Sequence, residues 1–455
     1  MTNALVYIIS FLLTVGVLVV IHEFGHYLAA RWAGVKILRF SVGFGKMLAV
    51  RRDRHGTEWV LAAIPLGGYV KMLDEREGEV AKEDLPRAFN RKSVWARIFI
   101  VAAGPAANFL LAVLLYWVLF IAGIPGYKPV LGDPPPNTPS AAAGIANGDT
   151  VLEMSGEPVA TWGDVRWVLL KEAVKRETVV VEVETEGGNR VTRRIDLSGV
   201  SKEDIDKDLL GKLGLRPFRS RAPARIGRIV PGKAAERAGF VAGDLVVSID
   251  DKPIATWSEF KTAVSSKPGR SLAFELERAG RRLQLRATPD VEGKGDARIG
   301  MLGVEAPAEA IRENERMATV VRYEPIAALG KAVSKVYDLS VFSLNMLGRM
   351  IKGDISWKNL SGPITIADYA GQSALAGWIT SVGFLALVSV SLGVLNLLPI
   401  PLLDGGHLVY YFAEIVTGSP VSERTMEIGQ RLGLALLLGL TFFAFYNDIN
   451  RLFTG

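Results

Sequence analysis

The chain has 455 residues, 49% apolar and 22% charged, enough for about three domains at roughly 150 residues each. A positive mean hydropathy (+0.25) beside that charge content describes greasy segments alternating with soluble ones, and it excludes an intrinsically disordered chain. The absence of cysteine excludes a disulfide scaffold, an iron–sulfur protein and a thiol catalyst, while the net charge of +6 must be located before it is interpreted.

Met1 to His22 and Ile98 to Tyr127 contain no Asp, Glu, Lys or Arg, and each is long enough for a helix across roughly 30 Å of hydrocarbon. A third uncharged run covers Tyr369 to Leu403, and a fourth, Leu432 to Asn447, has only 16 residues. Four spans are expected: 1–30, 98–126, 369–398 and 430–448. A cleavable signal peptide fits the first run poorly, because it lacks a basic start and ends in His22, Glu23 and His26, so the run is expected to be retained. Residues 31–97 hold 14 Lys/Arg against 8 Asp/Glu, an excess equal to that of the whole chain. The positive-inside rule makes this segment cytoplasmic and puts both termini and the large middle section outside. No basic stripe interleaved with aromatics occurs elsewhere, so no nucleic-acid partner is expected; the partners are membrane lipid and membrane proteins.

The middle of the chain repeats itself. AGIANGDTVLEMSGEPVATW (Ala143 to Trp162) aligns without a gap on AGFVAGDLVVSIDDKPIATW (Ala238 to Trp257), with nine identities in twenty at an offset of 95 residues. In each copy, Gly148-Asp149 or Gly243-Asp244 turns the chain into an alternating strand, and a turn at Pro158 or Pro253 leads to a helix near Trp162 or Trp257. These features resemble PDZ domains of the bacterial protease type, over 127–217 and 222–310. Such domains bind extended segments by strand addition, and a rigid spacer or steric filter is the competing expectation. GDPPPNTPS (Gly132 to Ser140) reads as a stiff connector.

His22-Glu23-Phe24-Gly25-His26 is HExxH, which on a helix puts two imidazoles on one face, able to share a Zn²⁺ with Glu23 beside the metal's water. Histidines merely packed in the bundle would leave Glu23 without a partner near the membrane, at a cost of several kcal/mol. A catalytic zinc needs a third ligand. Asp404 in NLLPIPLLDGGH (Asn396 to His407) stands out, because Pro399 and Pro401 break the helix there and Gly405-Gly406 permit a close turn. Zn²⁺, two neutral imidazoles and the carboxylates of Asp404 and Glu23 sum to zero charge, which suits a low dielectric. His407 competes as a ligand, and Asn396 could donate to substrate or oxyanion or simply pack. His55, within RRDRHGTE, reads as a surface turn residue.

HExxH in the first span, AGPxxNF (Ala103 to Phe109) in the second, NxxPxPxLDG after the third and the tandem PDZ-like pair together resemble the site-2 protease family of zinc intramembrane metalloproteases. The resemblance spans nearly the whole chain. It implies a polytopic α-helical membrane protein of four spans, with a re-entrant β-hairpin region and two extracytoplasmic PDZ domains. It implies His22, His26 and Asp404 as zinc ligands, Glu23 as catalytic base and Asn396 as a helper in substrate binding. The substrates it implies are single-span membrane proteins, such as anti-sigma factors or signal-peptide remnants, trimmed beforehand by another protease. The membrane would be the bacterial inner membrane, with the PDZ pair periplasmic and the active site toward the cytoplasm.

A helical substrate must unwind to be cut, so its freed backbone groups need partners. TEWVLAAIPLGGYVKM (Thr57 to Met72), with Pro65 and Gly67-Gly68, reads as a hairpin, and the resemblance implies a membrane-dipping sheet with Gly67, Gly68 and Tyr69 at the substrate. Residues 311–368 mix apolar and charged side chains at helical spacing, as amphipathic linker helices at the membrane surface do, and 399–429 is expected to be a loop carrying the LDG motif. SGPIT (Ser361 to Thr365) reads as a helix-breaking turn. Two other classes compete with a protease: a membrane-tethered PDZ adaptor or chaperone with a structural HExxH, and a transporter using the broken third helix.

Overall fold

The computed structural model describes residues 2–175, 178–201, 208–293, 298–353, 356–357 and 360–454. Two compact units emerge, the first from Met1–Ile124 with Arg322–Gly455 and the second from Pro125–Val321. Four helices of the first unit are long and apolar enough to cross a membrane: Ala4–Trp32, Val94–Ala122, Trp378–Asn396 and Glu423–Arg451. Leu5, Ile8, Leu13, Leu110, Leu432 and Phe442 point outward from them, the arrangement of an integral membrane protein whose outer faces meet lipid.

Helix α1 (Thr2–Trp32) leads into two long strands, β1 (Ile37–Arg52) and β2 (Glu58–Met72), joined through a turn at Asp53, whose carboxylate accepts from the His55 and Thr57 backbone N–H groups. The expected hairpin within Thr57 to Met72 is therefore corrected: that stretch is a single kinked strand, and its main partner is β1. Gly67 bends β2, with a left-handed-side φ of 148°, and Gly43 and Gly45 bend β1. As a result the first run of β1 lies between two runs of β2, with Phe40 opposite both Val70 and Trp59. Tyr27, Phe40 and Trp59 pack as an aromatic cluster that fastens this sheet to α1.

Helix α2 (Val94–Ala122), N-capped by the Ser93 hydroxyl, is the centre of the unit. It packs against α1, α3 (Pro325–Ile351), α5 (Trp378–Asn396) and α6 (Asp404–Thr417). The small residues Ala328 and Ala332 bury one face of α3, while Ile326, Leu329, Val333 and Tyr337 leave its other face apolar and exposed. The expected amphipathic helix packs on α2 and α5, with the Trp117 indole N–H donating to the Pro325 carbonyl at its start at 2.8 Å.

Three other expectations need correction. The uncharged run from Tyr369 is not one helix: α4 (Pro363–Ala376) and α5 meet at Gly377, whose φ of 110° breaks the helical path. Residues 399–429 are not a loop throughout, because α6 begins at Asp404 itself. The last span is not short, since α7 (Glu423–Thr454) runs 32 residues with its charges at the two ends. One of those charges, Asp448, is buried. It accepts from the backbone N–H groups of Gly362, Ile364 and Thr365 and from the Thr365 hydroxyl, so SGPIT is the capped start of α4 and more than a turn.

The second unit contains two copies of one α/β arrangement. Four antiparallel strands, Glu157–Pro158, Thr150–Met154, Val179–Glu184 and Arg190–Ile195 in spatial order, cover the helix Trp162–Lys175. Lys252–Pro253, Leu245–Ile249, Leu272–Arg278 and Arg281–Ala287 repeat that order with the helix Trp257–Ser265. Each copy has its own core, built on Val151, Leu169 and Val181 in the first and on Val246, Phe260 and Phe274 in the second. The aspartates of the repeated Gly-Asp pairs are buried at equivalent places, Asp149 accepting from the Ala146 N–H and Asp244 from the Val241 N–H.

The copies differ at one strand edge. In the first, the Gly132 N–H donates to the Arg216 carbonyl, and in the second the Gly227 N–H donates to the Glu305 carbonyl, so Leu215 and Pro217 correspond to Val304 and Ala306. These four residues turn their backbone groups to the outer edge. The Leu215 N–H is already given to the Leu210 carbonyl, and Pro217 has no N–H. Among the described residues, the N–H groups of Val304 and Ala306 have no partner.

Candidate metal centre and active site

His22 and His26 lie one turn apart on α1, in its buried stretch against α2, and both are 8% exposed. Gly25 lets α2 approach so closely that a Cβ there would stand 2.3 Å from the Ala103 carbonyl. Asp404 arrives from the far end of the chain at the first position of α6. The turn that delivers it holds Leu402 at a left-handed φ of 88°, and a Cβ on Gly405 would stand 2.2 Å from the Leu398 carbonyl. Close backbone packing therefore aims all three side chains at one point.

The Nε2 atoms of His22 and His26 are 3.3 Å apart, and they lie 3.2 and 3.5 Å from the two carboxylate oxygens of Asp404. A tetrahedral zinc with bonds of about 2.0–2.1 Å needs ligand atoms about 3.3–3.4 Å apart. The His26 Nδ1–H donates to the Ile100 carbonyl at 2.9 Å, so its Nε2 offers a lone pair. Asp404 Oδ2 is buried and makes no hydrogen bond although His22 Nε2 lies beside it. Lone pairs converging at these distances repel unless a cation sits among them. The donor set, its spacing and the orphaned oxygen all fit zinc, and these three residues form the one such metal-ligand cluster among the described residues.

Glu23, His26, Asp404 and His407 line one cavity of about 770 Å³. Its wall includes the part-buried ion pair of Arg97 with Glu414 at 2.6 Å, with the Arg97 guanidinium 4.9 Å from the centre of the Tyr411 ring. That pair ties α6, which carries Asp404, to α2. Asp74, on the same wall, is partly desolvated, yet the Arg76 guanidinium 2.5 Å away holds its carboxyl below the usual range. Polar groups thus let water reach the ligand cluster from one side of a span-forming bundle.

Most of the sequence-expected residues meet here. Asn396, the last residue of α5, lies 3.5 Å from both ring nitrogens of His22. Gly68 backs directly onto Glu23: a Cβ on it would stand 3.3 Å from Glu23 Cγ. Gly67 instead faces the Phe44 ring, and Tyr69 stacks on Phe44 with its hydroxyl 3.5 Å from Arg39. His407 shares the cavity but not the cluster. Sequence reasoning passed over Ile100 and the pair Arg97–Glu414, and it met Gly104 and Asn108 only as members of the AGPxxNF motif, without a role. The i, i+4 spacing of Gly104 and Asn108 shows that they share one face of α2, but not that this face meets HExxH.

A four-span helical bundle holding a two-histidine, one-aspartate cluster with a glutamate at its side is a membrane-embedded zinc metalloprotease. The sequence profile of peptidase family M50 matches residues 10–440, and the chain belongs to that family, the site-2 protease family of intramembrane zinc proteases. It is 42% identical to the regulator of sigma E protease of Salmonella typhi over 97% of this chain and 98% of that protein. It is 41% identical to the regulator of sigma-E protease RseP of Escherichia coli K12, with the same coverage of 97% and 98%. A crystal structure of the PDZ domain of an SdrC-like protein from Listeria monocytogenes matches 20% of this chain and 90% of its own length, at 16% identity and a TM-score of 0.16. Family membership decides for the enzyme over the adaptor and the transporter.

Proposed function

We propose that the protein cuts single-span membrane proteins within or beside their membrane segments, after another protease has trimmed their outer part. The observation that carries this reading is the convergence of His22, His26 and Asp404, from helices far apart in sequence, beside Glu23 in a cavity of a membrane bundle. His22, His26 and Asp404 would hold zinc, which when bound would polarise the scissile carbonyl and lower the pKa of a water toward about 7. Glu23 would accept a proton from the attacking water as the water's oxygen bonds to the carbonyl carbon, and would return it to the amine as the C–N bond breaks. Asn396, beside His22, orients the peptide or its developing oxyanion. The Gly67-Gly68-Tyr69 run offers backbone partners to the unwound substrate, a role supported by the contact of Gly68 with Glu23.

Of the two PDZ-like modules, the second takes extended peptide by strand addition at Val304 and Ala306, whose outward N–H groups have no partner among the described residues, whereas Leu215 and Pro217 at the equivalent places of the first have none to offer. The relatives are named for regulation of sigma E, which supports an anti-sigma factor as a candidate substrate, beside signal-peptide remnants. The basic segment 31–97 puts the active site toward the cytoplasm of a bacterial inner membrane, with the modules in the periplasm. Replacing Glu23 by Gln tests the core of the reading. Zinc content and fold are expected to persist while cleavage of a transmembrane reporter falls by at least about 10³-fold, and turnover near the wild-type rate would refute it.

A further inference from the structure

The motif AGPAANF in α2 has so far no role. Asn108 in it is fully buried, with its side-chain Nδ2 placed 3.2 Å from His22 Nδ1 and its Oδ1 left without any hydrogen-bond partner. Its backbone carbonyl accepts from the Ser389 hydroxyl of α5 at 2.8 Å, so its position is held independently of the amide.

Two donors face each other here as soon as His22 serves as a ligand. For Nε2 to offer its lone pair toward His26 and Asp404, the ring proton must sit on Nδ1, which then needs an acceptor. Turning the Asn108 amide by 180° brings Oδ1 onto that Nδ1–H and gives the orphaned oxygen its partner. His26 is already held in this way, its Nδ1 donating to the Ile100 carbonyl two turns earlier on the same helix.

We infer that Asn108 is a positioning residue for the metal centre: its amide oxygen accepts the Nδ1 proton of His22 and so selects the tautomer and the ring orientation that bind zinc. One helix, α2, then sets both imidazoles, through a main-chain carbonyl for His26 and a side-chain carbonyl for His22. The inference rests on the zinc-site reading given above.

The test compares Asn108→Leu, which has similar size and no acceptor, with Asn108→Asp, which keeps an acceptor at the same place. Full-length protein in detergent is titrated with zinc against a competing chelator, and the visible spectrum of the cobalt-substituted protein reports the ligand geometry. Asn108→Leu is expected to lower zinc affinity about 10–100-fold and to alter the cobalt spectrum, while Asn108→Asp stays within about threefold of wild type. Ser389→Ala, which removes the other contact of the same residue, is expected to leave affinity unchanged. Wild-type affinity in a folded Asn108→Leu protein would overturn the inference, as would equal losses in the Leu and Asp variants. Should Asn108→Leu fail to fold, Asn108→Asp decides alone, because a loss of zinc there with retained helicity refutes the acceptor role. If wild-type protein itself bound no zinc, the site reading would fall first.

Discussion

Gly104 of α2 packs directly against the imidazole pair, and replacing it by alanine perturbs the metal centre with a single methyl group. The new Cβ would stand 2.2 Å from His26 Nε2, 2.5 Å from its Cε1 and 2.9 Å from His22 Cε1. Ordinary contact begins at 3.4 Å, so the His26 ring must retreat by about 1.2 Å. It has little room to do so, being tied to the Ile100 carbonyl at 2.9 Å. Zinc ligands tolerate displacements of about 0.2 Å and designed sites about 0.5 Å, so the retreat removes His26 from the coordination set. Zinc affinity is expected to fall by at least about 100-fold, which corresponds to about 2.8 kcal/mol at about 1.4 kcal/mol per factor of ten. Elemental analysis of purified protein, chelator competition and cleavage of a transmembrane reporter measure the loss, with circular dichroism as the folding control. A folded Gly104→Ala protein with stoichiometric zinc and wild-type turnover would show that the rings yield cheaply and that close packing of α2 does not set the site.

Three further outcomes are expected. Asp448→Ala removes the acceptor for three backbone N–H groups and a hydroxyl at the start of α4, and should destabilise the bundle by about 2–4 kcal/mol in thermal unfolding; an unchanged midpoint would exclude the capping role. Arg97→Ala leaves the part-buried Glu414 without its partner and should cost about 1–3 kcal/mol, whereas removing both partners should cost less than the sum of the single changes, a coupling that a double-mutant cycle reads directly. Ala306→Pro copies Pro217 of the first module onto the second. Peptide binding measured with an extended segment from the reporter's outer region should weaken at least about tenfold with zinc content unchanged, and undiminished binding would put the ligand elsewhere.

The chain determined its spans, its duplicated middle and its candidate ligands by local means. Uncharged runs of membrane length, a 95-residue repeat and the i, i+4 spacing within HExxH are properties of neighbouring residues, legible without any knowledge of packing. Asp404 could be singled out because an acid next to an apolar run is costly unless something holds it. What lay beyond reach were the partners drawn from elsewhere in the chain. The third run divides because Gly377 adopts a backbone that no count of apolar residues reveals. Asp448 lies inside a helix because the start of α4, more than eighty residues earlier, supplies its donors. The ring and hydroxyl of Tyr69 are taken by Phe44 and Arg39, partners from the preceding strand that no local pattern names. Only the folded bundle brings Ile100, Gly104 and Asn108 behind the two histidines, since hydrogen bonds and close contacts act over a few ångströms whatever the distance along the sequence.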